Sequence, residues 1–218
     1  MKDSLTFQQN KYTAQYPYNE LLSQLPTNEL ACLRMMKNLE SKLRKEGLVE
    51  AFNRNVEDFM RRGVIKWIED VPNIKNLQKS FIPLTYSLRE GSGVTTKLRI
   101  CGNSSFKSGP NVSLNNCMIP GPKYLNNMEG ILLRFRVANQ IALGDIKNCY
   151  HKIKSCPRDA SLRRIFIKPD GMDSDSDWKE AYFGTVSFGA ISDCNDRFMS
   201  APTRDIVQNS IYMDDLLL

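Results

Sequence analysis

Tyr212-Met213-Asp214-Asp215-Leu216-Leu217-Leu218 sets two adjacent carboxylates between short apolar runs. Successive side chains on a regular strand point to opposite faces, so neighbouring aspartates serve one site only where the backbone turns, as at the tip of a β-hairpin. With a third carboxylate from elsewhere, such a tip can hold two Mg²⁺ ions, an arrangement suited to phosphoryl transfer. The sequence stops before the return strand of that hairpin could be completed.

Working outward, the third carboxylate is Asp145. Gln140-Ile141-Ala142-Leu143-Gly144-Asp145-Ile146 predicts a strand ending at an acid. Two acids at strand ends suggest neighbouring strands, with Ile141–Asp145 beside Ile211–Asp214. Unit charges about 4 Å apart repel by about 4 kcal/mol at an effective dielectric near 20. Three packed carboxylates therefore need shifted pKa values or counter-charge, which divalent cations supply. The plain alternative makes Asp145 a helix cap and Asp214-Asp215 a simple turn. An isolated pair of aspartates favours that alternative; the shared strand-end context favours a metal.

The remaining pattern alternates helix and strand signals and predicts an α+β fold. Residues 1–25 are polar, with Tyr12, Tyr16 and Tyr18, and read as a loosely ordered arm or one that needs a partner. Pro26-Thr27-Asn28-Glu29 is a helix start, and Leu30, Leu33, Met36, Leu39 and Leu43 follow at helical spacing up to Gly47. A second helix is expected from Leu48 to Arg62, with Phe52, Val56, Phe59 and Met60 inward and Gly63 as the stop. Strands are expected at 64–68, 81–88 and 95–101, the last placing Lys97 and Arg99 on one face. Residues 101–122 read as a Gly-, Ser-, Asn- and Pro-rich loop without phosphate-loop spacing. A helix over 125–136 should turn Leu125, Met128, Leu132 and Phe135 inward. Strands at 162–168 and 180–188 enclose an acidic stretch, Asp170 to Asp177. Asp173, Asp175 and Asp177 fit the start of a calcium loop, but Trp178 and Gly184 stand where glycine and glutamate are required, so a solvated hairpin loop is expected.

Composition narrows the function classes. The chain has 218 residues, 41% hydrophobic and 25% charged, with a formal net charge of +6. That charge is compatible with a polyanionic partner but is mild evidence alone. No apolar run approaches the roughly 20 residues of a membrane span, so no membrane association is expected, and no secretory signal is visible. Six scattered cysteines without a C-x-x-C pair, and the single His151, argue against zinc and for free thiols in a reducing compartment. His151 and Ser187 lack the spacing of a nucleophilic hydrolase site.

Several segments together resemble one family, the reverse transcriptases of BEL/Pao long-terminal-repeat retrotransposons. Tyr212-Met213-Asp214-Asp215 is similar to the family's Y-[VM]-D-D box. Gly144-Asp145-Ile146-Lys147-Asn148-Cys149-Tyr150-His151-Lys152-Ile153 resembles its first catalytic motif, an aspartate with an aromatic five residues later. Gly130–Arg136 after Gly121-Pro122, the stretch from Lys97 to Pro110, and the helical lead-in from Leu25 to Leu43 are also similar. The resemblance covers most of the chain from about residue 25.

The resemblance implies a helical lead-in at 26–75 and right-hand polymerase fingers and palm at 76–218, an antiparallel sheet backed by helices and cut off at the catalytic hairpin. It implies an RNA-directed DNA polymerase that uses two-metal nucleotidyl transfer, with Mg²⁺ (or Mn²⁺). Its partners would be a primed RNA or DNA template and deoxynucleoside triphosphates, in a cytoplasmic retroelement particle. Asp145, Asp214 and Asp215 would be catalytic and hold the metals together with the Ile146 carbonyl. Arg99 and Lys97 would meet the triphosphate. Tyr150 would lie under the sugar and block a 2′-hydroxyl; its plain alternative is a half-buried aromatic. Phe188 and Gly189 would begin the motif that positions template and nucleotide.

The chain departs from the family at Ile191-Ser192-Asp193-Cys194-Asn195-Asp196, where a Ser-Ser-Pro-Phe-like run is expected. It also departs at Gly102 and Asn103, where a large apolar residue and an aspartate are usual, and in ending at Leu218. A catalytically inactive remnant that only binds nucleic acid or a protein partner is the second reading.

Overall fold

The computed structural model describes residues 5–8, 11–70, 74–91, 94–119, 127–137, 143–145, 149–186, 211–212 and 215–217. In chain order its elements are β1 (Leu5–Gln8), β2 (Lys11–Ala14), α1 (Glu29–Glu46), α2 (Val49–Arg61), β3 (Ile65–Trp67), β4 (Leu84–Gly91), β5 (Val94–Gly102), α3 (Leu114–Cys117), α4 (Met128–Val137), β6 (Leu143–Asp145), β7 (Ile153–Ser155), α5 (Pro157–Ser161), β8 (Arg164–Ile167), β9 (Lys179–Phe183), β10 (Ile211–Tyr212) and β11 (Asp215–Leu217). Helices and small, mainly antiparallel sheets make the fold α+β. The chain forms two compact units. One comprises Met1–Ile119 with Tyr150–Phe188, the other Pro120–Cys149 with Gly189–Leu218. The chain leaves the first unit at Pro120 and re-enters it at Tyr150.

In the first unit, α1 and α2 bury their stripes on a core shared with β8 and β9. Cys32, Met36, Leu39 and Leu43 are buried on α1, and Phe52 on α2, with Val56, Phe59 and Met60 packed alongside. Leu30, expected inward, is 71% exposed. The inward row runs through Cys32 instead, and two residues along a helix turn the side chain to nearly the opposite face. Both helices end at glycines in the left-handed region, Gly47 (φ 68°) and Gly63 (φ 69°), where a Cβ would be strained. Asn28 does not cap α1 through its side chain. Its Oδ1 instead accepts from the Phe81 N–H at 2.8 Å, and its Nδ2 donates to the Phe81 carbonyl at 2.8 Å. One amide side chain thus pairs both backbone groups of a buried residue.

Strand order in the central sheet is β3-β9-β8. All four residues of β8 are buried, and Phe166 stacks on Phe81 with ring centroids 4.7 Å apart. The acidic stretch is the β8–β9 hairpin loop, but it is tethered as well as solvated. Met172 is buried and its N–H donates to Asn53 Oδ1 at 2.9 Å. Lys168 Nζ donates to the Ser174 carbonyl at 2.7 Å and pairs with Glu40 at 3.1 Å.

The β4–β5 hairpin ends at Gly102. A Cβ built there would come within 2.9 Å of Ile82 Cδ1 and 3.1 Å of Phe183 Cε2. Those side chains occupy the space that a large apolar residue would need, so the glycine fits its surroundings. Asn103 Oδ1 accepts from the Ser105 N–H at 3.1 Å, closing a local turn. Further on, α3 interrupts the expected loop, started by a capping box between Ser113 and Asn116.

Residues 11–25 are tied into the first unit by backbone pairing and burial. β1 pairs with β2, and β2 pairs in parallel with β7 (Tyr12 opposite Ile153, Ala14 opposite Ser155). Tyr16, Leu22 and Leu25 are buried, and Tyr18 bridges Met118. The partner is the chain itself: the Cys156 N–H donates to the Ala14 carbonyl at 3.0 Å. Backbone pairing holds this polar segment, and a hydrophobicity pattern carries no record of it.

In the second unit, Ile131 of α4 is buried, whereas Leu132 is 45% exposed against expectation. Leu125 lies outside the described residues. Among the described residues, no helix is long and apolar enough to cross a membrane.

Candidate active site

Apolar residues at Ile211, Leu143 and Leu216-Leu217 build a three-stranded antiparallel sheet in the second unit, ordered β10-β11-β6. Tyr212 is the register partner of Asp215 and Ile211 of Leu216, so β10 and β11 form a ladder with Met213 and Asp214 between them in sequence. On its other side β11 meets β6, with Leu217 opposite Leu143, Leu216 opposite Gly144 and Asp215 opposite Asp145. The neighbour of β6 is thus β11, not the strand before the aspartate pair as expected. Both hairpin strands are apolar enough to fill the central place, and the residues themselves do not choose between them.

That register makes Asp145 and Asp215, separated by 70 positions in sequence, partners across the ladder. Aspartates offer anionic oxygen donors, which suit a hard divalent ion such as Mg²⁺. Among the described residues there is no cluster of three or more His, Cys, Asp or Glu able to hold a metal. Asp214 and Ile146, and the side chains of Asp145 and Asp215, lie outside the described set.

The residues expected to meet the nucleotide belong to the first unit or to undescribed segments. Leu98 and Ile100 are buried on β5 while Arg99 between them is exposed. Lys97 opposes Arg89 and Arg99 opposes Ser87, so the two basic residues occupy alternate positions on one face of the β4–β5 hairpin. The side chain of Lys97 is outside the described set. Tyr150 lies in the single-turn helix Cys149–Lys152, its side chain likewise outside that set, as are Phe188 and Gly189 altogether.

Two features escaped the sequence reading. His151 rests edge-on against Phe59, ring centroids 5.3 Å apart, with its Nδ1 3.4 Å from Arg62 Nη1. Burial, then the Arg62 charge, pull its pKa down to about 4, while Asp58 opposes them. Asp159 is fully buried and accepts from the Tyr16 N–H at 2.7 Å. Burial raises its pKa against the hydrogen bonds and the Arg163 charge that favour the carboxylate. A lone histidine two residues before an apolar strand residue, and an aspartate in a Pro-Arg-Asp turn, carry no local signal of such contacts.

The chain matches no protein-family model and no curated protein sequence.

Proposed function

We propose that the chain carries the fingers and palm of an RNA-directed DNA polymerase of the BEL/Pao retrotransposon type. The register pairing of Asp145 with Asp215, beside a hairpin whose strands flank Met213-Asp214, is the observation that supports it most. The reaction would be attack of a primer 3′-hydroxyl on the α-phosphorus of a deoxynucleoside triphosphate, with pyrophosphate leaving.

Asp145, Asp214, Asp215 and the Ile146 carbonyl would hold two Mg²⁺ ions. When bound, the ions would supply activation of the hydroxyl and neutralisation of the leaving phosphates. Arg99 and Lys97 would bind the triphosphate through charge-assisted hydrogen bonds. Tyr150 would exclude nucleotides that carry a 2′-hydroxyl. Phe188 and Gly189 would help place the templating base. Phosphate contacts would dominate template binding, so affinity should fall steeply as salt rises.

The test is nucleotide incorporation on a primed RNA template with Mg²⁺ or Mn²⁺. Metal-dependent incorporation that is lost in Asp145→Ala and Asp214→Ala supports the reading. Undiminished incorporation in those variants overturns the metal assignment. The acidic run Ile191–Asp196, in place of the expected positioning motif, favours the second reading, a remnant that binds nucleic acid or a protein without catalysis. Template binding that survives in Asp145→Ala, without incorporation by the unsubstituted chain, supports that one.

A further inference from the structure

The two long helices of the first unit carry their exposed charges differently. On α2, Glu50, Arg54, Glu57 and Arg61 succeed one another at steps of three or four residues, all exposed, so the signs alternate along one face. Arg61 and Arg62 both bond Asp58 at 2.7 Å beside it. A solvated helix face is built in this way. On α1 the signs are separated. Its acids are all engaged: Glu29 with Lys79 at 3.2 Å, Glu40 with Arg44 at 2.8 Å and Lys168 at 3.1 Å, and Glu46 with Lys42 at 3.9 Å. Arg34, Lys37, Ser41 and Lys45, again three or four residues apart, form an exposed stripe that contains no acid. Among the described residues, no carboxylate pairs with Arg34, Lys37 or Lys45. Like charges one turn apart repel, and nothing on α1 offsets that repulsion between Arg34 and Lys37.

We infer that this stripe of α1 is a landing surface for the backbone of a nucleic acid, with Arg34, Lys37 and Lys45 each meeting a phosphate. At 1.5 Å of rise per residue the stripe from Arg34 to Lys45 is about 16 Å long. Phosphates of one strand recur about every 3.4 Å along a duplex axis, so roughly five of them face that length and each cation can find one. Such contacts read no base edge, and binding is therefore independent of sequence. Leu30, one turn before Arg34, is the apolar side chain in line with the stripe. A single leucine is not the continuous apolar face by which a helix enters a lipid surface. The surface lies wholly on the first unit and needs only affinity for phosphate, so it does not depend on the polymerase reading.

The experiment measures equilibrium binding of the full chain to two short DNA duplexes of unrelated sequence across a range of salt concentrations. The unsubstituted protein is compared with the triple variant Arg34→Gln, Lys37→Gln, Lys45→Gln. Glutamine matches lysine and arginine closely in helix propensity, and circular dichroism checks that α1 persists. A control variant, Arg54→Gln, Lys66→Gln, Lys179→Gln, removes the same charge from other exposed positions of the unit. A third variant, Arg34→Lys, Lys37→Arg, Lys45→Arg, keeps the stripe basic. The slope of log affinity against log salt should shrink by about 2–3 in the first variant, about one per lost phosphate contact, and equally for both duplexes. It should change by less than about 1 in the control and stay at the unsubstituted value in the third variant. An unchanged slope in the first variant overturns the inference. Equal shrinkage in the control also overturns it, because net charge rather than the α1 stripe would then set the affinity. Binding to phosphatidylserine vesicles or polyglutamate with none to either duplex overturns it in favour of a lipid or acidic protein partner. Loss of nucleotide incorporation in any variant bears on the polymerase reading and leaves this result unchanged, since the readout is binding alone.

Discussion

The backbone N–H of Tyr16 donates to the carboxylate of Asp159 at 2.7 Å, across 143 positions of sequence. Asp159 is fully buried in the short helix α5, and Arg163, one turn further on, lies over the Tyr16 ring at 5.2 Å. This contact seats the N-terminal segment. Asp159→Ala should destabilise the protein by about 1–3 kcal/mol, because a buried N–H loses its acceptor. Asp159→Asn, which keeps an oxygen there, should cost less. Urea unfolding midpoints check both.

Asp159 and His151 give stability opposite dependences on pH. Burial raises the Asp159 pKa, so the folded state holds that proton more tightly than the unfolded chain. Its contribution is complete below the ordinary aspartate value and is lost as pH rises through the raised one. Burial and Arg62 lower the His151 pKa from 6.5 to about 4. Its contribution is complete above 6.5 and is lost as pH falls toward about 4. Asp159→Asn should therefore make stability rise more steeply with pH across the acidic range, and His151→Asn should remove the rise. Unfolding midpoints of the two variants across that range read the signs directly.

Asn28→Ala should cost more than an ordinary helix-cap deletion. Its amide pairs both the N–H and the carbonyl of Phe81, itself 1% exposed. Leaving both without partners costs about 1–3 kcal/mol each. Asn28→Asp keeps the acceptor for the N–H but sets an oxygen against the carbonyl, and should fall between the alanine variant and the natural protein in a thermal melt.

Gly102→Leu should destabilise by about 1–3 kcal/mol through overpacking. Pairing it with Ile82→Ala, which vacates the nearest contact at 2.9 Å, should recover part of the loss. Additive losses in the double variant would show that the crowding lies elsewhere.

Helix ends and strand alternation were legible because their causes are local. Gly47 and Gly63 supply left-handed stops, and the β5 alternation around Arg99 follows from the period of a strand. The inward turn of Cys32 in place of Leu30 was not legible, since both suit a buried position and only the neighbouring strands decide. The pairing of residues 12–14 was not legible, because it comes from backbone groups paired with residues near 155, which side-chain chemistry does not announce. At the candidate site, the hairpin and Asp145 could be identified from acids at the ends of apolar runs. The choice of β11 as the strand beside β6 could not, because Ile211 and Leu216 are equally suited to the middle of the sheet.

The parallel pairing of β2 with β7 also fixes an order of events during synthesis. Ribosomes add about 5–20 residues per second, so β2 emerges roughly 7–28 s before the strand it must join. Through that interval its unpaired edge is open to any neighbouring nascent chain. A chaperone that shields the first 20 residues should therefore improve the yield of native protein more than one acting after release.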